Sequence, residues 1–258
     1  MQRLRAENLT KTFRGKTVVD GVSIEVNRGE IVGLLGPNGA GKTTSFRMII
    51  GLLRPERGHV YLDDLDITSW PVFRRARTGI GYLSQESSVF RGLTVEENIR
   101  AVLEVQKIPR TEQKERLGEL LDLIALTPLA SQRASTLSGG ERRRLEITRA
   151  LAASPSFMML DEPFSGVDPK AVSEIQTTIG KLRDLGIGIL ITDHSVRETL
   201  EVTNRSYIIH QGRVLTFGTA SELVDDPRVK EAYLGDNFYM RLGGEVRGGS
   251  TSETPPTE

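Results

Sequence analysis

Gly36-Pro37-Asn38-Gly39-Ala40-Gly41-Lys42-Thr43 is the stretch that decides the fold. It fits the spacing G-x-x-x-x-G-K-[ST] of a phosphate-binding loop. The five residues before it, Ile31–Leu35, are a continuous apolar run, as a strand buried on both faces of a parallel sheet should be. The residues after it read as a helix from Lys42 to about Leu52. Gly39 and Gly41 let the backbone approach an anion and turn N–H groups inward, and the helix start behind them adds the positive end of its dipole. Lys42 can reach the β- and γ-phosphates as a point charge. The Thr43 hydroxyl is a Mg²⁺ ligand of the kind that leaves the remaining positions to phosphate oxygens and water. The loop alone says that a nucleoside triphosphate is bound, and kinases, GTPases and transporter ATPases share it.

Working outward, Leu4–Leu9 and Val22–Val26 read as strands, with turns at Arg14-Gly15-Lys16 and Asn27-Arg28-Gly29-Glu30. Gly58–Leu62 and Ile80–Leu83 are further strands. From about Val95 to Pro128 the period becomes helical, carried by Leu103, Leu117, Leu120, Leu121, Ile124 and Leu126. Phe157–Leu160 and Gly188–Ile191 are apolar strands, each preceded by a helix. Tyr207–Ile209 and Val214–Phe217 form a hairpin around Gln211-Gly212, and short helices follow at Ser221–Val224 and Pro227–Tyr233. The expected class is α/β, a P-loop NTPase domain over 1–242 with an inserted helical subdomain at about 90–150. From Gly243 to Glu258 the chain is almost devoid of apolar residues, and a disordered tail is expected there.

Composition narrows the partners. Among 258 residues Lys+Arg and Asp+Glu both number 34, so nothing favours sequence-independent nucleic-acid binding or unaided coating of anionic lipid. The absence of cysteine excludes disulfides, thiolate metal sites and a cysteine nucleophile, and is compatible with the cytoplasm. The first residues lack the apolar core of a signal peptide, and no apolar run approaches the ~18 residues of a spanning helix. Work at a membrane would need other subunits to cross it.

Two carboxylates end the Phe157–Leu160 run. Asp161 stands where P-loop enzymes place a partner of Mg²⁺. Glu162 follows at the strand end, where a carboxylate can take a proton from an attacking water, a role that contributes ~10²–10⁴ in rate. Met158 and Met159 read as strand core. His194 follows the next strand, after Thr192-Asp193, and can donate a hydrogen bond to a γ-phosphate, whereas His59 and His210 lie within strands and read as structural. Leu137-Ser138-Gly139-Gly140-Glu141 looks like a second anion-binding helix start, with an S-x-x-E capping box and two glycines that expose N–H groups. One chain needs one phosphate cradle, so the second suits the nucleotide of another molecule. Arg142-Arg143-Arg144 behind it reads as a solvated helix face.

With that pentapeptide the sequence resembles the ABC ATPases over roughly residues 4–240. The resemblance implies a RecA-like α/β core, an antiparallel β subdomain and a helical subdomain. It also implies that two copies form a head-to-tail homodimer around two ATPs. Gly36, Pro37, Asn38, Gly39, Ala40, Gly41, Lys42, Thr43 and Thr44 would hold ATP in one copy, with Phe13 stacked on adenine where many members have Tyr. Ser138, Gly139, Gly140 and Glu141, with Asp168 of the D-loop Ser165-Gly166-Val167-Asp168, would reach across from the other. Thr43, Gln85 of the Q-loop and Asp161 would serve Mg²⁺, Glu162 would activate water, and His194 would steady the phosphate.

Four further stretches, Ser88–Ile99, Asp193–Leu200, Gly212–Thr219 and Ala232–Gly235, are similar to the ATPase subunits of bacterial lipopolysaccharide-export transporters. That similarity implies two transmembrane permease subunits docking near Phe90 and Arg91. It also implies a peripheral place on the cytoplasmic face of the inner membrane, no nucleic-acid partner and no contact with the transported molecule. The ATPase subunit of a branched-chain amino-acid importer and a soluble ABC ATPase of the Fe–S assembly type are the alternatives.

Overall fold

A computed structural model describes residues 2–106, 108–235, 238–242 and 245–247. The chain begins with two long strands, β1 (Arg3–Phe13) and β2 (Lys16–Asn27), whose side chains alternate between core and solvent. Leu4, Ala6 and Leu9 face inward from β1, and Val22, Ile24 and Val26 from β2. After β3 (Ile31–Leu35) and α1 (Lys42–Ile50), β4 (Arg57–Leu62) and β5 (Leu65–Asp66) complete an antiparallel sheet of order β2-β1-β4-β5.

The second sheet is built from β3 and the strands that follow: β6 (Ile80–Leu83), β7 (Phe157–Asp161), β8 (Gly188–Thr192), β9 (Arg205–His210) and β10 (Arg213–Gly218). Its order is β10-β9-β3-β8-β7-β6, parallel except for the β9–β10 hairpin. Every residue of β3, β7 and β8 is buried, because both faces of the sheet are covered. Val32, Leu34, Phe157 and Met159 point towards the antiparallel sheet and Phe46, Met48 and Ile49 of α1. The alternate residues Ile31, Met158, Leu160, Ile189 and Ile191 point to the helical side.

That side is made by α3 (Val95–Val105), α4 (Arg110–Leu123), α5 (Gly139–Ala152) and α6 (Pro169–Asp184), with two short 3₁₀ turns at Thr127–Leu129 and Ala134–Thr136. Their apolar stripes, including Ile99, Leu103, Leu117, Leu121, Ile147 and Ile175, share one core with the sheet. A third cluster gathers Leu35 at the end of β3, Leu200 of α7 (Val196–Val202) and Leu223, Val224 and Val229 of α8 (Ala220–Asp225) and α9 (Pro227–Val229). Tyr233 joins it from the π turn Lys230–Leu234.

Three elements before the C-terminal segment were not expected from the sequence: β5, only two residues long, α2 (Val72–Arg77) and α7. The C-terminus differs in part as well. The stretch expected to be disordered lies outside the described residues except Glu245–Arg247. Those three form β12, antiparallel to β11 (Met240–Leu242).

Candidate nucleotide site

The parallel sheet puts the carboxyl ends of β3, β6, β7 and β8 on one edge, and the functional loops leave from that edge. After β3 the backbone turns at Gly36 with φ +144 and enters α1 through Gly41 with φ +104, conformations that disfavour L side chains. A Cβ on Gly36 would collide with the Ile209 carbonyl, and one on Gly41 would lie 2.6 Å from the Val18 carbonyl oxygen. Lys42 folds back along its own loop, where Nζ donates to the carbonyls of Gly36 at 2.5 Å and Pro37 at 2.9 Å. Burial pushes the Lys42 amine down, and the charge of Glu162 partly opposes this.

Asn38–Thr44 form one wall of a cavity of 180 Å³, and Glu162, Thr192, Asp193 and His194 form the other. Glu162 adopts φ +47, a left-handed conformation that costs a non-glycine residue on the order of 1–3 kcal/mol. Its N–H donates to the Thr192 carbonyl at 2.7 Å. Its Oε2 accepts from Gln85 Nε2 at 2.8 Å and lies 3.4 Å from His194 Nδ1. Residues 85, 162 and 194 thus meet from three loops, opposite the lysine. Asp161, next in line, is 5% exposed. Burial raises its carboxyl above the usual range, the neighbouring Glu162 raises it further, and the Tyr82 hydroxyl at 3.5 Å opposes both.

The other expected residues are elsewhere. Ser138 caps α5, accepting from the Glu141 N–H at 3.3 Å while Glu141 accepts from the Ser138 N–H at 2.8 Å. That N–H holds the Glu141 carboxyl below its ordinary range. None of Ser138, Gly139, Gly140 or Glu141 lines the cavity. Asp168 caps α6, its Oδ1 accepting from Lys170 and Ala171 N–H groups, both at 3.1 Å. Phe13 is exposed at the end of β1, with Lys11 Nζ 5.6 Å from its ring centre. Phe90 is 51% exposed, and the Arg149 guanidinium stands 4.6 Å from its ring centre. The Arg91 carbonyl accepts from the Ser135 N–H at 3.2 Å.

The arginine run is not a solvated face. Arg143 is 7% exposed and pairs with buried Glu146 at 2.8 Å. Its guanidinium also donates to the carbonyls of Ser84 at 2.9 Å, Asp161 at 3.0 Å and Glu162 at 3.1 Å. Glu146 in turn accepts from the Ser88 N–H at 3.2 Å. One buried pair on α5 therefore braces the strand ends that carry Gln85 and Glu162. Arg144 pairs with Glu174 of α6, and Arg142 donates to the Leu137 carbonyl at 2.9 Å. A second residue missed in the sequence is Asn98, fully buried. Its Oδ1 accepts from the Phe90 N–H at 2.9 Å and its Nδ2 donates to the Phe90 carbonyl at 3.0 Å. The signal for Arg143 was its spacing, since Gly140, Arg143, Ile147 and Leu151 follow the buried stripe of α5.

Comparison with known proteins identifies the family and the fold. The ABC transporter family model matches residues 19–165. A second model, of branched-chain amino acid ATP-binding cassette transporters, matches residues 213–239. The lipopolysaccharide export system ATP-binding protein LptB of Acidithiobacillus ferridurans is 55% identical, over 92% of this chain and 98% of that one. LptB of Escherichia coli (strain K12) is 52% identical, over 93% and 100%. An uncharacterized ABC transporter ATP-binding protein of Rhizobium meliloti (strain 1021), R00382, is 57% identical, over 92% and 88%. The ADP conformation of MJ1267, an ATP-binding cassette of an ABC transporter, superposes with a TM-score of 0.81 at 30% identity, covering 91% of this chain and 99% of that one. The dimeric post-hydrolysis state of the cassette MJ0796, bound to ADP and Pi, gives 0.72 at 26% identity, covering 84% and 98%. A phosphate loop faced by Gln85, Glu162 and His194, in a fold and sequence matched along nearly its whole length, places this chain in the ABC transporter ATP-binding family.

Proposed function

We propose that this chain is the ATP-hydrolysing subunit of a lipopolysaccharide-export transporter, working as a head-to-tail homodimer at the cytoplasmic face of the inner membrane. The observation that carries the chemistry is the Glu162 carboxylate, held by Gln85 and His194 across the cavity from Lys42. The cargo rests on the 55% identity to LptB over nearly the full length of both chains. Among the described residues no helix is long and apolar enough to cross a membrane, and in this reading the permease subunits supply the passage.

In this reading Lys42 leaves its two carbonyls to meet the β- and γ-phosphates, and Gly36–Thr44 cradle them with backbone N–H groups. The few oxygen donors at the cavity, the Thr43 hydroxyl on its wall and the Asp161 carboxylate at the end of β7, fit a Mg²⁺ ion that keeps phosphate and water ligands. Thr43 and Asp161, with Gln85, would hold it, and the ion supplies neutralisation of charge on the transferring phosphoryl group. Glu162 takes the proton of the attacking water, and His194 donates to the γ-phosphate. Phe13 lies against adenine. A cavity of 180 Å³ is small beside the ~300–1,000 Å³ of sites that bury a whole ligand. Ser138–Glu141 and Asp168 of a second copy complete it, and loss of the γ-phosphate reopens the pair. Residues 1–242 act as one ABC domain in which 90–150 is the helical subdomain. Two permeases dock near Phe90 and Arg91.

Glu162→Gln is expected to bind ATP, hydrolyse it at least ~10²-fold more slowly and accumulate as dimers, read by phosphate release and gel filtration. Turnover at the parental rate would remove Glu162 as the base. Co-purification in mild detergent identifies the permeases. Partners with large β-rich periplasmic segments support lipopolysaccharide export. Purely multi-helical partners favour amino-acid import, the reading supported by the match at residues 213–239.

A further inference from the structure

Asp193 is 1% exposed and lies between the two loops whose spacing the proposed reaction depends on. Its Oδ2 accepts the N–H of Phe164 at 3.0 Å, two residues beyond Glu162 and 29 positions away in the chain. Its Oδ1 accepts the N–H of Ser195 at 2.9 Å and stands 3.5 Å from Nδ1 of His194. Behind it, Tyr233 of the C-terminal segment packs in the cluster shared by Leu35, Val196 and Leu200. Burial pushes the Tyr233 phenol up to about 12, a Gly36 N–H pulls the other way, and the charge of Asp193 adds to the rise. Asp193 thus joins two loops through its two oxygens: the loop after β7 and the loop after β8.

Capping does not account for this arrangement. A residue that only opened α7 would need one acceptor oxygen, and Asn or Ser serves that purpose as well as Asp. Here both oxygens are used, each by a different loop, and an amide has one oxygen to offer.

We propose that Asp193 is a positioning residue for hydrolysis, its two carboxylate oxygens tying the loop after Glu162 to the loop of His194 and setting the distance between base and phosphate-facing imidazole. The inference rests on the roles proposed above for Glu162 and His194. A misplacement of ~1 Å in such a site costs on the order of 10² in rate.

The test uses the full chain with Asp193→Asn and Asp193→Ser, each of which keeps one acceptor for the Ser195 N–H. Expected is a fall in kcat of at least about tenfold with KM for ATP within about twofold of the parent, since the phosphate loop is untouched. ATP binding and thermal unfolding are measured on the same samples. Parental kcat in Asp193→Asn overturns the proposal and leaves Asp193 as the acceptor of the turn that precedes α7. Failure of both variants to fold also overturns it, by making Asp193 a folding residue. Glu162→Gln run in parallel separates the two readings. If it is inactive while Asp193→Asn is fully active, only Asp193 loses its role; if it turns over normally, the base assignment itself is wrong.

Discussion

Phe90 is an exposed side chain whose backbone, rather than its ring, is anchored by buried polar groups. Its ring is half exposed and lies against Arg149, while its backbone is clamped on both polar groups by buried Asn98. The clamp fixes the loop, so the ring itself is dispensable for it. Phe90→Ala should leave basal ATPase within about twofold and weaken permease co-purification at least about tenfold, as for an aromatic anchor whose truncation costs ~2 kcal/mol. Loss of basal ATPase would instead mark the ring as part of the fold. Neither Asn98 nor Arg143 could be read as a brace from composition. Arg143 sat within a basic triplet that resembles a wet helix face, yet its carbonyl partners come from residues 84, 161 and 162. A charged group is buried only where such partners converge, and convergence is a property of the folded chain.

α5 carries two kinds of residue on one helix. Its first turn carries the signature residues, and its buried side carries the Arg143–Glu146 pair. Gly140 serves packing, because a Cβ there would lie 2.5 Å from the Cβ of Ala171 on α6. Gly140→Ala should therefore force α5 from α6 and cost ~1–3 kcal/mol of stability, read as a lowered midpoint in urea. Adding Ala171→Gly restores the space and should recover part of the loss, less the ~1 kcal/mol that glycine costs inside a helix. Strict additivity of the two substitutions would show that the helices are not in tight contact. At this scale the sequence was a good guide where elements were long or strongly patterned. β3, β7 and β8 were visible because strands buried on both faces show as continuous apolar runs, with polar residues only at the carboxyl ends of β7 and β8. β5 and α2 were not, being two and six residues long with no apolar period of their own. α2 is instead held by Arg75, which is 1% exposed and donates to the carbonyls of Met48 and Trp70 at 3.0 Å.

Across the whole molecule, Glu30 and Arg205 link the antiparallel sheet to the parallel one. Glu30 Oε1 accepts from Arg205 Nε at 2.6 Å, and Arg205 Nη2 also donates to the Glu25 carbonyl at 2.8 Å. Burial raises the Glu30 carboxyl, but the Arg205 and Asn27 donors outweigh it, so the folded value lies below the ordinary 4.5. The folded state thus holds fewer protons there than the unfolded one. The stabilisation is complete above the unfolded value and lost as pH falls through the folded value. Unfolding midpoints of the parent should decline below about pH 5, and Glu30→Gln should flatten part of that decline while lowering stability at neutral pH. An unchanged acid slope in the variant would assign the acid loss to other carboxylates.

Local chemistry along the chain was sufficient for the phosphate loop, the buried strands, the second helix start and the order of motifs, because each depends on neighbours within a few residues. The meeting of Gln85, Glu162 and His194 required parallel strands that deliver all their carboxyl ends to one edge. The burial of Arg143 and the double bridge of Asp193 came only with the packed structure. Both depend on backbone groups supplied from distant loops, and whether a polar side chain caps, bridges or faces water is settled by what packing brings against it. The separation of Ser138–Glu141 from their own chain's cavity likewise appears only in three dimensions.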